Sequence, residues 1–582
     1  MKDILYPCCS GAQINFEYLY SSMITTNTAI LKLFSIRNQY GKEITLKKLL
    51  LLNKINIKNI KGKKTAQALY SALLFLQAYP DNKSVYKQAA ELLQSLKEQV
   101  NNNEDLKYKL YNSGVTGTII CAAFSFEMTK WLRKTKRSSV KFNSFESDDE
   151  QIQAFISVVM DKAESEIFQD CNAEWKDWLK KLRQPGEDIL DQLIAIFDSS
   201  NIRPEVKDEL WNAIGINVEI NIESHCCLPA SLTKVFYHRS LMRKEIKAEP
   251  IPKTAAVKLT DTEAAQIIDC SKMILIRHLR EIDPISFTSA KLVSFYHLQR
   301  GTSIALLALV PQRRHPIDSY MAYVVFKNGL PVSYGASWVL FNSSRIALNV
   351  FPDYRGGEAK HIFNQVLQLH AQVYNLKRFS VDPYQIGKDN SDGIDSGSFW
   401  IYYHAGFRPI KENEKQLAEI EAAKIKTDKK YRTSRAILNA LAESRLELIL
   451  QKNATWVDAT DMSRTYAGII AKKYNGNRQL AHSGLRLEKD AAKKLATILQ
   501  IKNYQEENML FVLQNWAVFL LCKEKELKQN KHLKQTIKTL FNLKATGNEE
   551  AYITALQKAG DLRKLIEGLV KYYSLATVST HL

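Results

Sequence analysis

Long apolar runs are scarce in this chain of 582 residues, and so are glycine, of which there are 22, and proline, of which there are 14. The apolar runs at 117–124 and 303–310 fall well short of the roughly 20 residues that span a bilayer. The N-terminus has no sustained apolar core of signal-peptide length. The sequence therefore predicts no membrane span and a cytoplasmic location.

Cysteine is also sparse, since eight cysteines are too few for a disulfide framework in so long a chain. The adjacent pairs Cys8–Cys9 and Cys226–Cys227 are too close for ordinary disulfide or zinc-ligand spacing. His225 precedes the second pair, but no Cys-x-x-Cys or His-x-x-x-His partner follows it. We predict free thiols and no metal site.

Basic residues are in excess, because the formal net charge is +20 and the pI is about 9.3. Such a surface attracts phosphates, acidic proteins, nucleic acid or anionic lipid, and charge alone does not choose among them. The densest late stretch, 523–544, has a helical pattern whose apolar side is Leu527, Leu533, Ile537 and Leu540. We expect a solvated basic face there, with nucleic acid as the first alternative and a membrane as the second. The net charge of the whole chain allows an acidic or nucleic-acid partner.

The pattern along the chain divides it into four parts. Residues 1–245 are predicted to form a helical N-terminal domain, and 246–301 a linker followed by a short helix. Residues 302–412 are rich in strand-like runs, and 413–582 return to a helical pattern. The predicted fold is mixed α+β and mostly α, with a mixed β-sheet domain between helical N- and C-terminal regions.

Three strand-like runs follow one another between about 302 and 351. An Asn-Gly pair at 328–329 lies between two aromatic and β-branched runs and indicates a hairpin. After Gly356 the apolar positions step by three and four, which indicates a helix. A strand at 378–382 and an aromatic-rich helix ending at Gly406 come next.

The stretch VFPDYRGGEAKHIF places two glycines where a strand runs into a helix. Backbone N–H groups at such a junction are unpaired and the helix dipole favours negative charge, so phosphate fits there. Gly356 and Gly357 would allow close approach of the backbone, and Arg355 could add a charge-assisted hydrogen bond. A tight turn with an ordinary surface arginine is the other interpretation.

The order of these elements over about 302–412 resembles the core of the GNAT acetyltransferase superfamily. The matching residues are Val350, Pro352, Arg355-Gly356-Gly357, and Tyr402 with Gly406-Phe407. In that superfamily the glycine turn binds the pyrophosphate of coenzyme A through main-chain amides, and two central strands splay apart to admit the pantetheine arm. The resemblance implies that the runs RIALNVF and RFSVD are the splayed strands.

By this resemblance the chain is expected to be an N-acyltransferase that uses acetyl-CoA or another acyl-CoA as donor. The implied coenzyme-binding residues are Val350, Arg355, Gly356, Gly357 and Ala359. The implied general acid is Tyr402, for which packing in an aromatic helix is the other interpretation. The glycine spacing can be read from Arg355 or from Tyr354, and no final hairpin is evident after Gly406-Phe407.

No residue stands out as the general base. Asp382 ends the second central strand and is the main candidate, while Glu358, His361 and His404 are weaker ones, and water could serve alone. The loop at 380–390 carries an aromatic and two amide side chains, which suits a binding loop.

Two alternatives stay open. The first is a transferase that takes its group from a carrier such as aminoacyl-tRNA or acyl carrier protein. The second is a non-catalytic helical scaffold or nucleic-acid-binding protein. The acceptor cannot be inferred from the sequence.

Overall fold

The computed structural model describes residues 25–170, 174–182, 187–242, 253–428, 430–452, 457–483 and 489–573. Cys8 and Cys9 lie outside these ranges. The described residues form a mixed α and β structure that is mostly helical, so the predicted fold class is confirmed at that level. No helix among them is long and apolar enough to cross a membrane.

The strands are β1 (Ile119–Ala123), β2 (Val140–Phe145), β3 (Ile216–Asn221), β4 (Val293–His297), β5 (Thr302–Ala308), β6 (Ser319–Lys327), β7 (Leu330–Leu340), β8 (Ser343–Ile346), β9 (Asn349–Val350), β10 (Arg378–Val381), β11 (Arg408–Pro409) and β12 (Leu446–Ile449).

The helices before the large sheet are α1 (Thr26–Ile36), α2 (Lys42–Lys54), α3 (Lys63–Ala78), α4 (Lys83–Asn101), α5 (Glu104–Lys109), α6 (Phe126–Thr135), α7 (Asp149–Val159), α8 (Lys162–Asp170), α9 (Trp175–Leu182), α10 (Ile189–Ser199), α11 (Pro204–Ile214), α12 (Asp261–Arg277) and α13 (Asp283–Ser286). The later helices are α14 (Ala359–Val373), α15 (Pro383–Ile386), α16 (Ser391–Asp395), α17 (Ser398–His404), α18 (Glu412–Thr427), α19 (Arg435–Leu441), α20 (Ala459–Tyr474), α21 (Arg478–Ser483), α22 (Lys489–Leu499), α23 (Glu507–Leu521), α24 (Glu524–Gln529), α25 (Lys531–Thr546), α26 (Glu549–Lys558) and α27 (Gly560–Tyr573).

Helices α1–α5 pack directly against the large sheet and share its hydrophobic core. The central helix α3 is buried along most of its length, because its apolar positions leave no solvent-facing stripe. The first helices are therefore one wall of the sheet domain, since the two bury their apolar surface together.

A small antiparallel sheet in the order β1-β3-β2 follows, and α6–α11 cover it. Its core includes Phe126, Phe197 and Trp211, whose rings contact one another edge to face or tilted, 5.0 to 5.9 Å apart. The predicted helical domain 1–245 therefore contains a sheet that the helical pattern concealed, because each of its strands is only five or six residues long.

The large sheet has the order β11-β12-β10-β8-β7-β6-β5-β4. Its longest paired segment is the β6–β7 hairpin, in which Lys327 pairs with Leu330 across the Asn328-Gly329 turn. Both turn residues have positive φ, +49° and +83°, so the Asn-Gly prediction is confirmed. The sheet begins at β4, earlier than the predicted start at 302.

The central strands β8 and β10 are parallel and joined through α14. They pair over three residues only, from Ser343 opposite Arg378 to Arg345 opposite Ser380. The chain then leaves β8, and β9 pairs with β7 instead, Asn349 opposite Tyr334. As a result, β9 has no paired strand on the side that faces away from β7, and the two central strands separate there.

No hairpin follows Gly406-Phe407, as expected, but a pair of antiparallel strands does. Arg408 pairs antiparallel with Glu447, so β11 and β12 form such a pair. The sequence pattern missed it because β11 has two residues, and α18 and α19 separate it from β12. Strand β12 lies between β10 and β11 and carries the sheet beyond the predicted limit at 412.

Helices α20–α27 form a separate apolar core at the C-terminal end. The predicted apolar side of 523–544, Leu527, Leu533, Ile537 and Leu540, is buried there. Lys544 departs from the predicted solvated face, because it is buried and donates to Asp318 O at 2.8 Å. The C-terminal core is tied to the sheet domain through this loop, since Trp516 Nε1 also donates to Pro316 O at 3.0 Å.

Candidate active site

A cleft of about 880 Å³ opens beside β9, where the central strands part. Five parts of the chain form its walls: the residues just after α12, Tyr334 of β7, the segment from Leu348 through β9 into the turn, the start of α14, and α15–α17 with their loops. Its lining includes His278, Leu279, Arg280, Tyr334, Leu348, Asn349, Val350, Phe351, Arg355, Gly356, Ala359, Tyr384, Gln385, Asn390, Asp392 and Ile401.

A buried carboxylate fixes the turn that precedes the glycines. Asp353 accepts from Arg277 Nη2 at 2.5 Å and from Ser71 Oγ. Arg277 is itself held by Gly114 O, which accepts from its Nε at 2.8 Å. Burial opposes ionisation of Asp353, but the Arg277 guanidinium outweighs it and holds the pKa of this carboxyl below its usual value. The turn is thus anchored to α3 and α12.

The two glycines face different surroundings. Gly356 is exposed, has φ +86° and lines the cleft. Gly357 lies against the ring of Tyr79, so that a Cβ there would be 2.9 Å from three ring atoms. Burial and the nearby Glu358 carboxylate raise the pKa of the Tyr79 phenol. Part of the predicted coenzyme cradle is therefore occupied by packing against α3.

The Glu358 carboxylate is turned away from the cleft into a buried cluster of cations. It accepts from Lys327 Nζ at 2.9 Å, Arg300 Nε at 3.1 Å and Met242 N at 2.8 Å. Burial opposes its ionisation, but these donors hold its pKa at about 2. Glu358 therefore neither repels a phosphate in the cleft nor serves as a base.

Two arginines from distant parts of the sequence meet at the mouth of the cleft. The Nη2 atoms of Arg280 and Arg355 lie 3.4 Å and 3.8 Å from Asp392 Oδ2. All three side chains are largely exposed, so these pairs are weak and the guanidinium groups are available to an anion. Arg280 is a site residue that the sequence analysis missed, because it lies outside the predicted sheet domain.

The predicted site residues fall into two groups. Val350, Arg355, Gly356 and Ala359 line the cleft together. Gly357, Tyr402 and Asp382 lie outside its lining. Asp382 is ion-paired with Arg345 Nη1 at 3.1 Å.

Tyr402 is buried directly behind the cleft wall. Its hydroxyl accepts from the N–H of Leu348 at 3.1 Å, and its ring meets that of Phe363 edge to face. Burial raises the pKa of this phenol, so it is protonated at neutral pH.

An aromatic stack that the sequence analysis also missed forms one wall. Phe351 lies between His278 and Tyr334, with ring centroids 4.8 Å and 5.1 Å away. His278 Nε2 is 3.7 Å from Asp353 Oδ2. Burial, aided by Arg277, lowers the pKa of His278 to about 3, so its imidazole is neutral at pH 7. The one sequence signal that could have identified His278 as a site residue is its position just after the end of α12.

The remaining predictions for this region have mixed outcomes. Tyr384, Gln385 and Asn390 line the cleft, so the loop at 380–390 contributes to it as expected. His361 is buried away from the cleft, and burial lowers its pKa to about 4. Among the described residues, no group of three or more His, Cys, Asp or Glu side chains is arranged to hold a metal ion.

Comparison of the chain with protein-family models, with curated proteins and with solved structures finds no match. What the cleft does must therefore be argued from its geometry and chemistry.

Proposed function

We propose that the chain is an N-acyltransferase with a GNAT-like sheet domain and that the cleft beside β9 binds an acyl-CoA donor. The observation that carries this proposal is the position of the cleft. It lies where two parallel central strands part, and it is bordered by the glycine turn that begins the connecting helix α14. Ligands of open α/β sheets bind at the ends of such strands, where connections diverge.

The donor's phosphates would meet Arg280, Arg355 and the backbone of Gly356. Arginine binds phosphate through paired charge-assisted hydrogen bonds, and the start of α14 adds the positive end of a helix dipole. The side of β9 that faces away from β7 would hold the extended arm of the donor through its backbone. This assignment uses four of the five predicted coenzyme residues and leaves Gly357 as a packing residue.

Acyl transfer to an amine needs a base for the amine proton and an acid for the leaving thiolate. We assign the base to His278 in place of Asp382, because His278 lines the cleft and Asp382 is paired with Arg345 outside it. With a pKa of about 3, His278 is a weak base, so its contribution to the rate is modest and water shares this role. Tyr402 is retained as the proposed acid. Its phenol is protonated at neutral pH, and its hydroxyl contacts Leu348 of the cleft wall.

Calorimetric titration with acetyl-CoA, longer acyl-CoAs and free coenzyme A tests this proposal. We expect saturable binding that weakens about tenfold or more in Arg280→Ala and in Arg355→Ala, because each removes a charge-assisted contact. Arg137→Ala is the matched control, since Arg137 is an exposed arginine of the small sheet region. A folded protein that binds none of these ligands would contradict the proposal.

A carrier-bound donor is the second candidate, and one observation favours it. Gly357 is covered by the ring of Tyr79, so the turn exposes less backbone than a full pyrophosphate cradle. Aminoacyl-tRNA or acyl carrier protein would then supply the acyl group. Transfer from such a carrier, with no binding of acyl-CoA in the same preparation, would select this alternative.

A further inference from the structure

Helices α1 and α2, with the chain that follows them into the start of α3, carry exposed leucines and exposed lysines. Leu31 on α1 and Leu46 and Leu50 on α2 are 58%, 62% and 60% exposed. We call these residues, with the exposed lysines of 42–64, the lysine–leucine surface. Those lysines are Lys42, Lys47, Lys54, Lys58, Lys61, Lys63 and Lys64.

Leu46 and Leu50 lie on one face of α2, and Leu31 lies at a nearby level on the adjoining helix α1. Asn56 N donates to Thr26 Oγ1 at 3.4 Å, so the start of α1 adjoins the end of α2 and the helices run antiparallel. Leu31 is five residues after Thr26 and Leu50 is six before Asn56, distances of about 7.5 and 9 Å along the helices. Leu46 is one turn before Leu50 on the same face. Leu46 and Leu50 are therefore neighbours, and Leu31 is exposed at about the same level of the antiparallel pair.

The charge of this region is one-sided. Residues 25–64 contain nine lysines and one arginine against a single glutamate, Glu43. Lys48 is buried and paired with Asp81, whereas the seven exposed lysines make no ion pair of 4.0 Å or less with any residue that the structure describes. Their charges are left facing solvent.

Helix stability does not explain these lysines. Lys63 and Lys64 begin α3, whose first turn has no acidic residue, although cations there oppose the helix dipole. The three exposed leucines likewise contribute no burial of apolar surface to the stability of the fold. Exposed leucines and lysines at a helix N-terminus are both unfavourable in water. Both become favourable against a partner that has an anionic outer layer and an apolar layer beneath it.

We propose that the lysine–leucine surface docks on the anionic face of a lipid bilayer, with the lysines at the headgroups and the leucines inserted among the upper acyl chains. Lysine-rich amphipathic surfaces bind such interfaces through buried apolar area together with attraction to anionic lipid. Nucleic acid would engage the lysines but would leave the leucines in water, because its outer surface is phosphate. Anionic lipid is the partner that uses both groups.

Vesicle flotation with the full-length protein tests the proposal. The probes are vesicles of phosphatidylcholine alone and of phosphatidylcholine with phosphatidylserine, each at two salt concentrations. We expect binding only to the vesicles that contain phosphatidylserine. Leu46→Ser/Leu50→Ser and Lys47→Glu/Lys54→Glu should each weaken it by about tenfold or more, the second also removing most of its salt dependence.

Two matched controls separate this surface from the rest of the basic chain. Lys564→Glu/Lys571→Glu reverses two exposed lysines, also seven residues apart, on α27. Ile420→Ser removes an aliphatic side chain that is 55% exposed on α18. Neither control should alter vesicle binding, and thermal unfolding should show that all four variants are folded.

Three outcomes would overturn the proposal. One is equal binding to both vesicle types or to neither. Another is salt-dependent binding to RNA or DNA that the leucine variant leaves intact. The third is loss of folding stability in the leucine variant with vesicle binding unchanged, which would show that the chain itself covers the leucines. Neither of the first two outcomes bears on acyl-CoA binding in the cleft.

Discussion

The hydroxyl of Tyr402 accepts a hydrogen bond at 3.1 Å from the backbone N–H of Leu348, which lies between β8 and β9. Leu348 lines the cleft and Tyr402 does not, so this bond couples the aromatic helix α17 to the cleft wall. It also supplies a partner for a backbone group at the point where the strand leaves the regular ladder.

Tyr402→Phe should therefore affect both stability and turnover. It leaves the Leu348 N–H without its partner, which costs about 1 to 3 kcal/mol of unfolding free energy. If Tyr402 is also the acid, turnover should fall while acyl-CoA affinity stays within about twofold. Urea denaturation and acyl transfer assays measure these effects.

Tyr403→Phe is the control, because Tyr403 is the adjacent tyrosine, and its hydroxyl makes no hydrogen bond to Leu348. Equal losses of stability in the two variants, with no selective effect on turnover, would rule out the role assigned to Tyr402.

Replacement of Gly357 should act through packing against Tyr79. A Cβ at 2.9 Å from the ring is closer than real contacts allow, so Gly357→Ala should destabilise the fold by about 1 to 3 kcal/mol. Tyr79→Ala makes room, and the double variant should be clearly less destabilised than the sum of the two single variants. Urea denaturation of the four proteins measures this coupling. Strict additivity would show that the ring is not what excludes a side chain at Gly357.

The buried pair Arg277–Asp353 should matter more than the exposed pair Arg280–Asp392. Asp353→Asn leaves the Arg277 guanidinium buried without its counter-charge, a loss of about 3 to 5 kcal/mol. Asp392→Asn removes a carboxylate that is 64% exposed, for which we expect less than about 1 kcal/mol. Equilibrium unfolding of both variants gives the comparison, and similar losses would contradict the anchoring role of Asp353.

The cleft also gives a prediction for catalysis by His278. His278→Asn should lower acyl transfer by no more than about 10²-fold, the low end for a positioned base, because a pKa of about 3 makes His278 a weak proton acceptor, and it should change acyl-CoA binding less. His404→Asn is the control on α17, outside the cleft lining. Thiol release from acyl-CoA in the presence of candidate amines measures both. Equal activity of the two variants would show that the base lies elsewhere.

The sequence predicted the parts of the fold that depend on local pattern. The Asn328-Gly329 hairpin, the switch to a helix after Gly356 and the buried side of 523–544 all follow from short-range periodicity and turn chemistry. The pairing of β11 with β12 was not predicted, because β11 has only two residues and two helices separate it from β12. Contacts between distant segments could not be predicted either, which is why Arg280 was missed.

The glycine pair shows the limit most clearly. Both glycines are compatible with a phosphate turn in sequence, and the partner that distinguishes them, Tyr79, lies on a helix far away in the chain. Local sequence indicates where a backbone must approach something closely. It does not indicate whether that something is a ligand or another part of the protein.

The buried cluster around Glu358 makes stability depend on pH. Arg300 Nη2 donates to His238 Nδ1 at 3.1 Å, which favours the neutral imidazole. Burial lowers the pKa of His238 to about 3 and that of His361 to about 4. In the unfolded chain each histidine takes up its proton near its ordinary pKa of about 6.5. Between about pH 6.5 and 4 the unfolded state therefore binds more protons than the folded state, and the free energy of unfolding falls as the pH falls.

Glu358 acts in the same direction at lower pH, since its folded pKa of about 2 lies below its ordinary value of 4.5. Its contribution is fully present above about pH 4.5 and is lost as the pH falls through 2. His361→Gln should flatten the slope between pH 6.5 and 4 relative to the unaltered protein. Urea denaturation across this range measures the slope. An unchanged slope in His361→Gln would mean that the buried imidazole takes up its proton as readily as in the unfolded chain. Burial and the nearby Lys327 and Arg300 cations disfavour that outcome.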